Sequence, residues 1–327
     1  MLVNAQEPDA LQDYLLRMGW LGPDETITGL EKPGEGNMNY TLRVITPVRT
    51  LIVKQARAYV EKYPTIPAPA ERAVIEGRFY QKALAVPMLS AYMPELMGMD
   101  EANSVLVLED LGTSSDYTFL YQPGRQLSEE ETQALTTYLS ELHQEFISTK
   151  PDPDFANRSM RALNHEHIFN YPFLEDNGFD LDIIQPGLQA VAMPYKQDAA
   201  LKKNVRELGE RYLADGPILL HGDYYPGSWL QTTGGVKVID PEFCFYGPAE
   251  FDLGVMQAHL IMAQQSASIR DTVTANYERP AGFDETLLRR FTGVEIMRRL
   301  IGLAQLPLSL SLEQKQHLLE DARSLLV

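Results

Sequence analysis

Residues 218–242 read ILLHGDYYPGSWLQTTGGVKVIDPE. Two apolar runs, Ile218-Leu219-Leu220 and Val236-Lys237-Val238-Ile239, each end on acid: the first delivers His221-Gly222-Asp223, the second Asp240-Pro241-Glu242. A short apolar run that changes character abruptly is the pattern of a buried strand opening into a loop. Between them Gln231-Thr232-Thr233-Gly234-Gly235 supplies the φ > 0 positions of a tight hairpin. The expectation is that the two strands pair and that the three carboxylates are neighbours. Carboxylates gathered in a polar cleft repel one another unless a cation lies between them, and hard oxygen ligands select Mg²⁺ or Mn²⁺. A metal-assisted reaction is the first hypothesis.

The 327 residues are many for one hydrophobic core, which predicts two lobes with a cleft between them. Hydrophobic content of 44% and charged content of 22% are those of a globular protein with no call for disorder. No apolar run approaches the roughly 20 residues that cross a bilayer. Met1 to Asp13 shows no basic segment followed by an apolar one, so no membrane partner and a cytoplasmic location are expected. The single cysteine, Cys244, rules out an internal disulfide and a thiol metal cluster; among the aromatics of FCFYGP it reads as a buried, inert thiol. A net charge of −17 makes nucleic acid an unfavourable partner, although an anionic nucleotide can still bind where lysine or arginine, glycine-rich backbone and metal are concentrated. A homodimer is left open.

Further upstream, helical spacing marks 8–18 as a packing helix. Residues 27–44 hold two β-like runs around Gly34-Glu35-Gly36-Asn37-Met38-Asn39, a loop whose N–H groups suit phosphates, or a plain turn. The strand Thr50-Leu51-Ile52-Val53-Lys54-Gln55 carries a lysine at its apolar end. Helical spacing resumes over 70–84 after the proline-rich PTIPAPA, placing Glu76 beside the inward face, where a buried glutamate needs a cation such as Lys54. The strand Ser104-Val105-Leu106-Val107-Leu108 runs into Glu109-Asp110-Leu111-Gly112, the character of a hinge, and predicts domains over 1–112 and 113–327. Beyond it, Ser128 caps an acidic-started helix, and helical stretches follow at 182–213, 249–265, 284–304 and 311–326.

Glycine loop, strand lysine, helix glutamate, Asp223 and the Asp240/Glu242 pair stand in an order that resembles the protein-kinase-like fold. The resemblance implies an α+β architecture: an N-lobe antiparallel sheet with a helix and a mostly helical C-lobe. The form HGD points to the small-molecule branch that includes aminoglycoside phosphotransferases and choline kinases. Ser228 five residues after Asp223, and Glu242 two after Asp240, are similar to the methylthioribose kinases, as are GEGNMNY (34–40), VKQ (53–55), LED (108–110), DPEFCFYGPAEFDLG (240–254) and MRRLIGLA (297–304).

That resemblance implies ATP and Mg²⁺, with Mn²⁺ as an alternative, and a small-molecule acceptor. It implies phosphates under Gly34, Gly36, Asn37 and Asn39, contacted by Lys54 that Glu76 holds, with adenine reading the backbone near Glu109 and Leu111. Asp240 and Glu242, with Ser228, would hold the metal. Asp223 would take the acceptor's proton. Arg298 and Arg299 match a twin-arginine element that stabilises the transferring group, although two adjacent arginines on one helix are not expected to aim at one point. His221 and Asp252 would brace the loop; His143, His165 and His167 read as surface or core residues. Tyr224-Tyr225-Pro226-Gly227 stands where the family carries leucine-histidine-threonine, and with Trp229 these aromatics are expected to face the acceptor. The acceptor favoured is a methylthioribose-like sugar. An aminoglycoside or choline-like acceptor, a noncatalytic nucleotide-binding relative and a metallohydrolase are the rival readings.

Overall fold

Alternation along the strand Thr50–Gln55 sets the architecture of the first part of the chain. Leu51 and Val53 point to one face and join Leu42, Val44, Val105 and Val107 in a core that the helix Pro8–Arg17 closes with Leu11, Tyr14 and Leu15. The period of two puts Lys54 on the opposite face, across from Thr41 and Leu106. There Leu106 packs with Ala56 and with Ala73 of the helix Arg72–Ala83. Five strands cross the sheet in the order Gly29–Glu31, Tyr40–Ile45, Thr50–Gln55, Val105–Glu109, Leu96–Asp100, every neighbouring pair antiparallel. The structure is a computed structural model and describes residues 1–34 and 38–327, so Gly36 and Asn37 of the predicted glycine loop lie outside the described residues.

The chain divides into two units: Met1–Ser115 with Thr232–Cys244, and Asp116–Gln231 with Phe245–Val327. A single division near 112 misses the return of 232–244 to the first unit. The reason is hydrogen bonding that no local pattern announces: Val238 N donates to Tyr92 O at 2.7 Å, and the side-chain Nζ of Lys237 to Ala91 O at 2.9 Å.

In the second unit the strand Ile218–Leu220 pairs antiparallel with Phe245–Gly247, Leu220 opposite Phe245. The hairpin expected between 218–220 and 236–239 is therefore not formed. The paired glycines turn the chain between Trp229–Thr232 and Gly235–Val238, with Gly235 at φ 101°. The helical stretch expected over 182–213 is two helices, Leu188–Gln197 and Ala199–Leu213. Asp198 separates them, extended in backbone and accepting from Leu201 N as the cap of the second. Ser128 and Glu131 form a complete capping box on Glu129–Glu145.

The helices Glu250–Met262 and Glu285–Ile301 approach closely at Gly254, where a Cβ would stand 2.8 Å from that of Phe291. That approach brings His259 to Glu295. Among the described residues no helix is long and apolar enough to cross a membrane.

Candidate active site

In the first unit, Lys54 Nζ donates to Glu76 Oε1 at 2.8 Å and to Asp240 Oδ1 at 2.6 Å. Lys54 and Glu76 are buried, whereas the Asp240 side chain is 44% exposed. Asp240 is left-handed at φ 64°, ψ 48°, a conformation that costs a non-glycine residue roughly 1 kcal/mol or more and persists only where the surroundings impose it. One turn before Glu76 on the same helix face stands Arg72, fully buried and not singled out by the sequence. Its Nε donates to Asn39 Oδ1 at 2.9 Å and lies 3.3 Å from Glu242 Oε2, while its terminal nitrogens donate to the carbonyls of Met38, Arg57, Tyr59 and Pro69. Asn39 Nδ2 donates to Glu242 Oε2 at 2.9 Å. Asn39 and Arg72 thus clamp Glu242 together.

Three carboxylates face two cations in this cluster. Burial pulls the Lys54 ammonium down, but Asp240, Glu76 and Glu242 outweigh it and hold it firmly protonated. Burial pushes Glu76 up to about 8 against Lys54, with Asp240 and Glu242 adding to the push. Glu242 is raised too, by burial, against Lys54 and Arg72. Glu76 Oε2 is buried without a hydrogen-bond partner. The cluster therefore carries surplus negative charge of the kind a divalent cation relieves. Among the described residues no group of three or more His, Cys, Asp or Glu side chains is arranged to hold a metal. Mg²⁺ needs only one or two carboxylates when waters and phosphate oxygens complete its shell, so the donor set fits.

Replacing Arg72 would take from buried Glu242 the cation that stands 3.3 Å from it. Arg72→Ala should destabilise the protein by about 3–5 kcal/mol, and Arg72→Lys should recover only part because it lacks the planar fork. Equilibrium denaturation checks both.

Of the remaining nucleotide-side residues, Gly34 and Glu109 are exposed and Leu111 is partly so. Glu109 ends its strand with N donating to Glu95 O at 2.9 Å. Beside it Asp110 receives Arg43 Nε at 2.7 Å, which stiffens the segment before Gly112.

In the second unit the strand Ile218–Leu220 delivers a braced loop. Asp252, fully buried on the helix Glu250–Met262, accepts from His221 N at 2.6 Å and Gly222 N at 2.9 Å. His221 Nδ1 accepts from Asp223 N at 3.3 Å, and Gly222 takes the φ of 85° that the turn requires. Ser228 Oγ donates to Asp223 O at 2.8 Å and is buried, so its hydroxyl closes this loop.

Tyr224 and Trp229 differ from expectation. Both are fully buried; Tyr224 donates to Leu135 O and stacks on Tyr138 at an interplanar angle of 15°. They form the floor under the loop and do not face an acceptor. Tyr225 is only partly buried, with the Arg299 guanidinium 4.8 Å from its ring centre and the His259 ring at 5.1 Å.

Both arginines of the helix Glu285–Ile301 converge on one carboxylate. Glu295 lies three and four residues before them, the spacing that shares a helix face. Arg299 Nε donates to Glu295 Oε1 at 2.7 Å, and Arg298 reaches Oε2 at 3.4 Å. Arg299 also stands 3.7 Å from Asp223 Oδ1. The expectation that adjacent arginines cannot share a target is corrected: a buried carboxylate one turn back draws them together. Burial would raise Glu295, but Arg298 and Arg299 hold it far below the ordinary carboxylate range.

His259 and Tyr121 complete the group, Tyr121 OH 2.6 Å from His259 Nδ1 and His259 Nε2 3.0 Å from Glu295. Burial, with Arg299 and Arg298 adding to it, pushes His259 down to about 4 despite Glu295. The folded protein then refuses a proton that the unfolded chain accepts below about 6.5, so this group's contribution falls as pH drops from 6.5 to 4, by roughly 3 kcal/mol at most. Glu76 acts oppositely between about 4.5 and 8. The quantity to measure is therefore the stability difference between wild type and His259→Gln, which should grow with pH across 4 to 6.5.

An antiparallel sheet carrying a lysine paired to a helix glutamate, with a second unit that presents a braced Asp223 loop, makes this a protein-kinase-like fold. The chain belongs to the phosphotransferase enzyme family, whose profile matches residues 29–290. It is similar to the methylthioribose kinase of Exiguobacterium sibiricum, 29% identical over 97% of this chain and 92% of that one. The methylthioribose kinase of Geobacillus kaustophilus is also 29% identical, over 91% and 84%. Among solved structures, choline kinase LicA from Streptococcus pneumoniae shares the fold with a TM-score of 0.55 at 13% identity, covering 98% of this chain and 99% of that one. An AMP-bound spectinomycin phosphotransferase does so at 0.54 and 13%, covering 99% and 98%. The protein is thus an ATP-dependent small-molecule kinase.

Proposed function

We propose that this kinase transfers the γ-phosphate of ATP, as its Mg²⁺ complex, to a hydroxyl of a methylthioribose-like sugar. The observation that carries the acceptor is the similarity to methylthioribose kinases along 97% of the chain. The resemblance of Asp240-Pro241-Glu242, Ser228 and Arg298-Arg299 to that family favours the same acceptor.

In this reading Lys54, fixed by Glu76, contacts the nucleotide phosphates. Adenine reads the backbone at Glu109 and Leu111. Asp240 and the clamped Glu242 hold Mg²⁺, which neutralises charge on the phosphate oxygens. Asp223 orients the acceptor hydroxyl and receives its proton, and the arginines stabilise the transferring group. Positioning and electrostatics supply most of the acceleration, as phosphoryl transfer asks little covalent work of the protein.

The test is ATP consumption against methylthioribose, other pentoses, aminoglycosides and amino alcohols. Methylthioribose should give the highest kcat/KM. Turnover confined to aminoglycosides or amino alcohols would replace the acceptor, and the net charge of −17 makes such a cationic substrate the second reading. Silence with every acceptor would favour a noncatalytic relative.

A further inference from the structure

We propose that Glu295 is the positioning residue of the acceptor half of this site, setting the aim of Arg299 and, through Arg299, the placement of Asp223. The inference rests on the kinase reading of Asp223 and adds a residue to it.

Glu295 is 1% exposed and collects three groups from two helices. Arg299 of its own helix donates to Oε1, His259 of the neighbouring helix approaches the same oxygen, and Arg298 lies near Oε2. An ionised carboxylate only accepts, so His259 must present Nε2–H to it, which leaves Nδ1 to accept from Tyr121 OH. The chain from Tyr121 through His259 to Glu295 consequently has one direction, and it fixes the carboxylate plane. That plane fixes Arg299, whose guanidinium spans Glu295 on one side and Asp223 on the other. A second contact path leads to the same loop: the Tyr225 ring, two residues after Asp223, lies against both Arg299 and His259.

Arg298 is held more loosely. Its contacts to Glu295 and Asn164 are 3.4 and 3.5 Å, and its Nε is buried without a hydrogen-bond partner. Two adjacent buried guanidinium groups repel, and Glu295 offsets that repulsion. Without its charge, Arg299 would be drawn onto Asp223, lowering the basicity of the group that must take a proton.

The test compares Glu295→Gln, which keeps shape and removes charge, with Glu295→Asp, which keeps charge one methylene short. Val294→Ala on the same helix serves as a packing control. Glu295→Gln should lower kcat about 100-fold with KM for ATP within about twofold, the scale of a small misplacement of a reacting group. Glu295→Asp should recover part of that loss. A kcat within threefold of wild type, or a loss no larger than that of Val294→Ala at equal thermal destabilisation, overturns the proposal.

A readout free of turnover runs in parallel. The Arg299 Nε–H resonance should exchange slowly in wild type and lose that protection in Glu295→Gln, while buried backbone amides keep theirs; retained protection at Arg299 overturns the proposal. If wild type phosphorylates no acceptor, the kinase reading fails and the exchange measurement still decides whether Glu295 fixes Arg299.

Discussion

Asp223→Asn should lower kcat by about 10³-fold or more while changing ATP affinity by no more than about twofold. The substitution is nearly isosteric. The backbone bonds that shape the loop, from His221 N and Gly222 N to Asp252 and from Asp223 N to His221, involve no Asp223 side-chain atom, and neither does the Ser228 bond to Asp223 O. What is lost is a carboxylate that can accept a proton, worth about 10²–10⁴ in general-base catalysis, together with the negative charge beside Arg299. Steady-state turnover with the best acceptor, alongside calorimetric titration of ATP, separates the two quantities. Ordinary turnover by this variant would remove Asp223 from the chemistry. Loss of ATP affinity in step with turnover would mean that the loop supports the nucleotide rather than the acceptor.

How far this arrangement could be read from residues alone differs from element to element. The strand Thr50–Gln55 and the helix Arg72–Ala83 were legible because a period of two and a helical period each name a face, and Lys54 and Glu76 lie on the facing sides. The partner of Ile218–Leu220 was not. Gly234-Gly235 announces a turn but not which strands the turn joins, and the true partner, Phe245–Gly247, lies beyond a stretch that returns to the other unit. Aromatic residues behind HGD invite a role in stacking on a ligand, yet aromaticity carries no direction. Burial of Tyr224 is decided by Tyr138 and Leu135 on a helix nearly ninety residues earlier, and Trp229 lies against the rings of Tyr224 and Tyr117.

Arg72 and Glu295 sat in plain view at helical spacings, four before Glu76 and three or four before the twin arginines. Arginine and glutamate are read as solvated by default, and only the tertiary partners reveal otherwise. His259 offered no local signal at all. Its tautomer follows from Glu295 and Tyr121, both remote in sequence.

Asp240→Asn should abolish most activity and, in metal-free buffer, leave the protein as stable as wild type or more so. The two halves of that expectation come from the same charges. Glu76, Asp240 and Glu242 are three carboxylates facing Lys54 and Arg72, and burial, with the repulsion of Asp240 and Glu242 added to it, pushes Glu76 up to about 8. A carboxylate whose folded pKa is raised keeps a proton that the unfolded chain has lost. The contribution of Glu76 is therefore full below about 4.5 and declines as pH rises towards 8. Removing the Asp240 charge relieves part of this, and asparagine accepts the left-handed backbone at this position readily. Lys54 keeps Glu76 as a partner at 2.8 Å. With one metal-binding carboxylate gone, the Mg²⁺ concentration for half-maximal rate should rise at least about tenfold and kcat fall by about 10²-fold or more, whereas the decline in stability between pH 4.5 and 8 should flatten. Denaturation midpoints across that range, with and without Mg²⁺, measure the second effect independently of turnover. An Asp240→Asn protein that is both inactive and markedly less stable would show that Asp240 serves as the counter-ion of Lys54 in the fold. Retained activity at ordinary Mg²⁺ would show that the metal is held elsewhere.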